Sequence, residues 1–335
     1  MKSLFLVCFL AISLVAKDDI KSLISNMIMI GFDGYYAPKF LKTHKVAGVI
    51  LFSKNIKNPK QLKRLTSNIK KLQPNILIAV DQEGGKVQRL KKRDGFIHTS
   101  SAQNIKEPKK EYQKMAKMLK ENGINLNLAP VVDVAVNPNN PVIAKLKRSY
   151  SSNPKEVWRK SEIFIKAMKS EGVLTTLKHF PGHGSSQADS HRGFTDVSDS
   201  WSEKELLPFY NHIKNSTAQL IMTAHIFNKK LDLKYPATLS HDTNQKLLRE
   251  RLGFNGVLIT DDLQMRAISD NYGFKKALEL SINSGVDILL IGNFLDKPVK
   301  LEKIVDTIYE LVLEGRVSVE RIKEANERIK SLDVN

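Results

Sequence analysis

The chain has 335 residues, 41% hydrophobic and 26% charged, with 17 Gly and 12 Pro. These proportions exclude a disordered chain, a collagen and a Gly/Pro linker protein. A formal charge of +18 permits attraction to polyanions, and the single cysteine, Cys8, excludes an internal disulfide framework and a cysteine-based zinc site.

The chain opens with a short positive start, Met1-Lys2, then an apolar stretch from Leu4 to Val15, then polar Lys17-Asp18-Asp19. That stretch is shorter than the about 20 residues a spanning helix needs. The pattern predicts a secretory signal peptide over residues 1–16, cut near Ala16, and hence export to the periplasm. Without that signal the chain would stay in the cytoplasm. Cys8 follows Leu6-Val7 rather than small residues, so lipidation is not expected. Residues 17–335 read as one domain.

Eight short apolar runs come next: Met27–Phe32, Ala47–Phe52, Ile76–Asp81, Leu126–Val134, Leu174–Phe180, Leu220–Ile226, Gly256–Asp262 and Asp287–Gly292. Most are near-continuous Val, Ile and Leu, as in strands buried on both faces. Helical patterns lie between most of them. Pro59–Gln73 places Leu62, Leu65, Ile69 and Leu72 on one face. Asn153-Pro154 starts a helix that Gly172 stops. Ser202-Glu203-Lys204-Glu205 predicts a capping box, with Trp201 and Leu206 as its hydrophobic staple. Leu252-Gly253 and Asn283-Ser284-Gly285 end two more helices, and the tail from Pro298 to Leu332 reads as two helices split at Gly315. The alternation predicts an α/β fold, a (β/α)8 TIM-type barrel, over an open doubly wound sheet.

Reactive residues cluster at the ends of these runs: Asp81-Gln82-Glu83-Gly84-Gly85, Lys178–Gly184, Thr223-Ala224-His225 and Thr260-Asp261-Asp262. In a barrel these ends share one rim. A lone Asp at a strand end is commonly a cap, but charge and imidazole at all of these ends are poorly explained by capping. Asp189 stands two residues before His191, a spacing that suits a carboxylate-oriented acid/base imidazole. His179, His183, Asp189 and His191 also offer donor types for zinc. Pro181 and Gly182 separate the first two, and no HExxH motif is present, so no metal site is predicted. The Gly84-Gly85 and Gly182–Gly184 turns match neither phosphate-binding fingerprint. Basic runs such as Lys91-Lys92-Arg93 lack interleaved aromatics and a nucleic-acid module, so they read as solvated surface.

Taken together and in order, these motifs resemble the family-three glycoside hydrolases, in their single-domain bacterial β-N-acetylglucosaminidase (β-hexosaminidase) branch. The resemblance runs from about Met27 to Asn293. It rests on Asp81–Arg89, Leu128–Val134, Lys178–Gly184 with Asp189-Ser190-His191, Pro236–Ser240, Gly253–Val257 and Thr260–Met265. It implies Asp261 as nucleophile, His191 as acid/base and Asp189 as its assistant. It implies Asp81, Arg89, Arg148, Lys178 and His179 as sugar-binding residues. It also implies N-acetylglucosamine-containing glycans or muropeptides as substrates, and no metal or organic cofactor. The alternatives left open are a family-three β-glucosidase or phosphorylase, or a non-catalytic glycan-binding protein. The chain departs from many relatives at Ser185-Ser186, where an acidic residue follows Gly-His-Gly.

Overall fold

The computed structural model describes residues 17–190, 193–294 and 298–333. The predicted signal peptide therefore lies outside the described residues. Among them, eight parallel strands form one sheet: β1 (Ile28–Gly31), β2 (Gly48–Ile50), β3 (Leu77–Val80), β6 (Leu126–Asn127), β7 (Leu174–Phe180), β8 (Leu220–Thr223), β9 (Val257–Ile259) and β10 (Leu289–Ile291). The intervening β4 (Gln82–Gly84) and β5 (Val87–Gln88) make a small antiparallel hairpin. β1 pairs with both β2 and β10. A parallel bridge from Ile259 to Ile288 and the Thr260 N–H bond to the Ile288 carbonyl then join β9 to β10. The sheet thus closes into the predicted barrel, and the open doubly wound alternative is set aside.

Each predicted apolar run supplies one barrel strand. The run expected over Leu126–Val134 pairs regularly only at Leu126–Asn127, although Val131 still bridges Lys178. Regular pairing ends at Asn127, but backbone bonds to β7 continue past it: the Ala129 and Pro130 carbonyls accept from Thr176 N and Lys178 N, and Val132 N donates to the Lys178 carbonyl.

Helices cover the outside of the barrel. Asn58 caps Pro59–Leu72 by accepting from Gln61 N, and Asn153 caps Pro154–Ser170 by accepting from Lys155 N. Leu62, Leu65 and Ile69 are buried as expected, but Leu72, at the last turn, is 37% exposed. The segment ending at Leu252-Gly253 is wound as a π-helix, Asp242–Arg251. The tail forms Leu301–Leu313 and Val319–Lys330, with Gly315 between them at φ 69°. Among the described residues, no helix is long and apolar enough to cross a membrane.

The predicted capping box does not form. Ser202 makes no side-chain cap bond, and Glu203–Leu206 is a 3-10 turn. The Glu205 carboxylate instead accepts from the N–H groups of Gly184 and Ser185. Buried loop donors have won it from the helix terminus. Trp201 and Leu206 are both buried, and the Trp201 indole donates to the Pro181 carbonyl.

The burial difference along Pro59–Leu72 gives a stability test. Ile69→Ala should cost about 2–5 kcal/mol in denaturant unfolding, as a fully buried position. Leu72→Ala should cost less than about 1 kcal/mol. Equal losses would contradict the placement of Leu72.

Candidate active site

All barrel strands run parallel, so the residues ending β3, β7, β8 and β9 share one rim. Lys178, within β7, has a side chain only 2% exposed. Its ammonium stands 2.8 Å from Asp81 Oδ1 and 2.7 Å from Glu83 Oε1. An unpaired charge at such depth would be driven to neutrality, so both carboxylates are conditions of its presence. Arg89 donates to the second oxygen of Asp81 at 2.9 Å. Arg148 grips Glu83 through two bonds of 2.8 Å and donates to the Val142 carbonyl. Asp81, Arg89, Arg148 and Lys178 thus lie in one ionic network.

Burial opposes ionisation of Asp81, but Lys178 and Arg89 outweigh it and hold the carboxyl well below the usual range. Against the same burial, Arg148 and Lys178 hold Glu83 down to about 2. The sequence assigns Glu83 no role of its own. Its signal is its place two residues after Asp81, which strand alternation puts on the same face.

Asp133, fully buried after β6, is a second hub that the sequence leaves without a role. Its Oδ2 lies 2.7 Å from His179 Nδ1, and its Oδ1 accepts from the N–H groups of His179 and His183 at 3.1 and 2.7 Å. His179 therefore sits beside the Lys178 network, turned toward its own carboxylate. The Lys178–His179 and Phe180–Pro181 peptides are cis. Burial, with the neighbouring His179, pushes His183 down to about 4, so its ring is neutral at neutral pH. His183 Nε2 lies 3.2 Å from Ser190 Oγ.

The tandem aspartates after β9 have different surroundings. Asp262 Oδ1 accepts from Gly292 N at 3.0 Å and Gln264 N at 3.1 Å, and its carbonyl accepts from His225 Nε2 at 2.8 Å. A Cβ on Gly292 would stand 2.2 Å from Asp262 Oδ2, so only glycine admits that approach. Asp261 is half-buried and accepts from Asp262 N at 2.8 Å. Asp189 is half-buried on the loop after β7. His191 lies outside the described residues.

Residues 20–332 match the glycosyl hydrolase family 3 N-terminal domain. The chain is 38% identical to β-hexosaminidase A of Pseudoalteromonas piscicida over 76% of its own length and 47% of that protein. It is 37% identical to the β-hexosaminidase of Tolumonas auensis, over 76% of this chain and 78% of the relative. A glycoside hydrolase family 3 β-N-acetylglucosaminidase from Paenibacillus sp. superposes with TM-score 0.84 at 31% identity, over 93% of this chain and 61% of that one. The β-N-acetylhexosaminidase of Beutenbergia cavernae shares the fold, with TM-score 0.85 at 24% identity over 93% of this chain and 97% of that one. The chain therefore spans less than two thirds of the Pseudoalteromonas and Paenibacillus proteins.

Glu83→Gln would leave Lys178 and Arg148 short of a charge partner. It should lower stability at neutral pH by about 3 kcal/mol in denaturant unfolding. A carboxyl held low adds stability above its ordinary value and loses it as pH falls. The gap between wild type and variant should be full above pH 4.5 and close toward pH 2. A gap constant across that window would remove the charge from the account.

Proposed function

The chain belongs to glycosyl hydrolase family 3, and from that premise we propose that it is a retaining β-N-acetylhexosaminidase releasing terminal β-linked N-acetylglucosamine from peptidoglycan fragments. One observation carries the reading. Asp261 ends β9 on the rim that holds the Asp81–Glu83–Lys178 cluster, while its neighbour Asp262 is committed to the fold. The relatives' β-hexosaminidase names support the substrate class. The predicted signal peptide supports a periplasmic location.

Breaking a glycosidic bond builds positive charge at the anomeric carbon and negative charge on the leaving oxygen. Asp261 attacks that carbon and forms a glycosyl ester as the bond to the leaving oxygen breaks. His191 gives its proton to that oxygen, then takes one from the water that hydrolyses the ester. Asp189 favours the charged imidazole and fixes its orientation. Asp81, Arg89, Arg148 and Lys178, through charged hydrogen bonds, and His179 hold the sugar hydroxyls in register. The acid is an imidazole in place of the usual second carboxylate, a group type that can both give and take a proton, as the two half-reactions require.

Chromogenic N-acetylglucosaminide should be cleaved in preference to the glucoside, with no sugar phosphate formed when phosphate is added. Asp261→Ala should lower kcat about a thousandfold or more, because a covalent step is removed. Azide with an activated substrate should then restore turnover and give the inverted α-glycosyl azide. Asp262→Ala should harm stability more than chemistry. Normal activity in Asp261→Ala beside a dead, folded Asp262→Ala would move the nucleophile to Asp262.

A further inference from the structure

The loop leaving β7 is clamped at its base by a residue with no part in the chemistry above. Glu205 is fully buried. Its Oε2 accepts from Gly184 N at 2.8 Å and from Ser185 N at 3.3 Å. Its Oε1, also buried, has no hydrogen-bond partner among the described residues. The fit is close: a Cβ on Gly182 would stand 2.5 Å from Glu205 Cβ, and one on Gly184 would stand 1.6 Å from the Val134 carbonyl oxygen.

Neutral amides hold other parts of the same segment. Asn140 donates to the carbonyls of His183 and Gly184 at 2.7 and 3.2 Å, and Asn137 donates to Ser186 at 2.8 Å. The far end is tied by the Ser190 carbonyl, which accepts from Ala267 N at 3.4 Å, and by the Ser190 hydroxyl beside His183. Asp189 precedes Ser190 and His191 follows it.

A neutral acceptor would satisfy two peptide N–H groups at less desolvation cost than a buried carboxylate. Burial pushes the Glu205 carboxyl up to about 7; the Ser185 side chain opposes the push, Asp133 adds to it, and the Gly184 and Ser185 N–H groups also oppose it. Asp133 reaches it from the segment after β6, and His183 on the clamped loop is neutral at that pH. The ionised form binds both N–H groups more strongly than the neutral acid does.

We propose that Glu205 is a positioning residue for the acid/base pair: by holding Gly184 and Ser185 it sets the course of the segment that delivers Asp189 and the following imidazole to the leaving oxygen. The proposal rests on the reading of Asp189 and His191 as that pair.

The test compares kcat/KM on two substrates. A dinitrophenyl N-acetylglucosaminide has a leaving group that needs no proton, and a disaccharide has one that does. Glu205→Ala should lose about a hundredfold on the disaccharide and less than about threefold on the activated substrate. Glu205→Gln keeps an acceptor for the two N–H groups and should recover much of that loss. Its disaccharide kcat/KM relative to wild type should fall through a single step near pH 7 as pH rises, because only wild type gains the ionised clamp. Equal losses on both substrates, or a pH-independent ratio for Glu205→Gln, would overturn the proposal. Should Glu205→Ala fail to fold, the Glu205→Gln profile decides alone. A wild type inactive on both substrates would overturn the N-acetylhexosaminidase reading, and this inference with it.

Discussion

The ammonium of Lys178, almost wholly removed from water, sets the terms for the rim around it. A cation there is tolerable only with carboxylates in hydrogen-bond contact, so Asp81 and Glu83 must both approach it. Those carboxylates in turn bring Arg89 from the end of the β4–β5 hairpin and Arg148 from the segment after β6. Removal of one member strands the others as buried charge. The network is therefore weak as a source of net stability and strong as a constraint on geometry, which suits the sugar-holding role proposed for it.

Asp133 extends that order to the other side of β7. Lys178 and His179 are consecutive, and they reach different carboxylates: Lys178 meets Asp81 and Glu83, and His179 meets Asp133. Because Asp133 also takes the N–H of His183, the turn that follows β7 is fixed at its first step. Glu205, Asn140 and Asn137 continue the same task along the loop. The strand ends thus present charge from a stiff frame, while Asp189, proposed as half of the acid/base pair, sits on a segment built from small residues and held from outside it.

The barrel strands are legible in the sequence because burial on both faces leaves no room for polar alternation. Their ends are less so, as after Asn127, where an unbroken apolar run continues but the pairing to β7 becomes irregular. The ionic cluster is half legible. Asp81, Arg89 and Lys178 stand in recognisable motifs, whereas Glu83 and Asp133 matter through partners 65 and 46 residues away. Glu205 is misread for a related reason. A Ser-x-x-Glu pattern encodes an opportunity at a helix start, and nothing local records that buried N–H groups 20 and 21 residues earlier compete for the same carboxylate. Leu72 keeps the helical period and is exposed because the period does not say where the neighbouring layer ends.

Charge pairing also decides which of these groups respond to pH. Asp81 and Glu83 are held ionised far into acid by their cations, and His183 is held neutral down to about 4 by burial. None of the three changes charge between pH 5 and 9. Glu205 differs because burial of its carboxylate meets no cation partner among the described residues; the Ser185 side chain and the Gly184 and Ser185 N–H groups oppose the upward push only in part. Its folded carboxyl is raised, so the stability it contributes as the neutral acid is full below about pH 4.5 and is lost as pH rises through about 7. The Asp81–Glu83–Lys178 cluster therefore keeps its charges across that range, and the carboxylate that holds the loop after β7 is the one pushed toward neutrality.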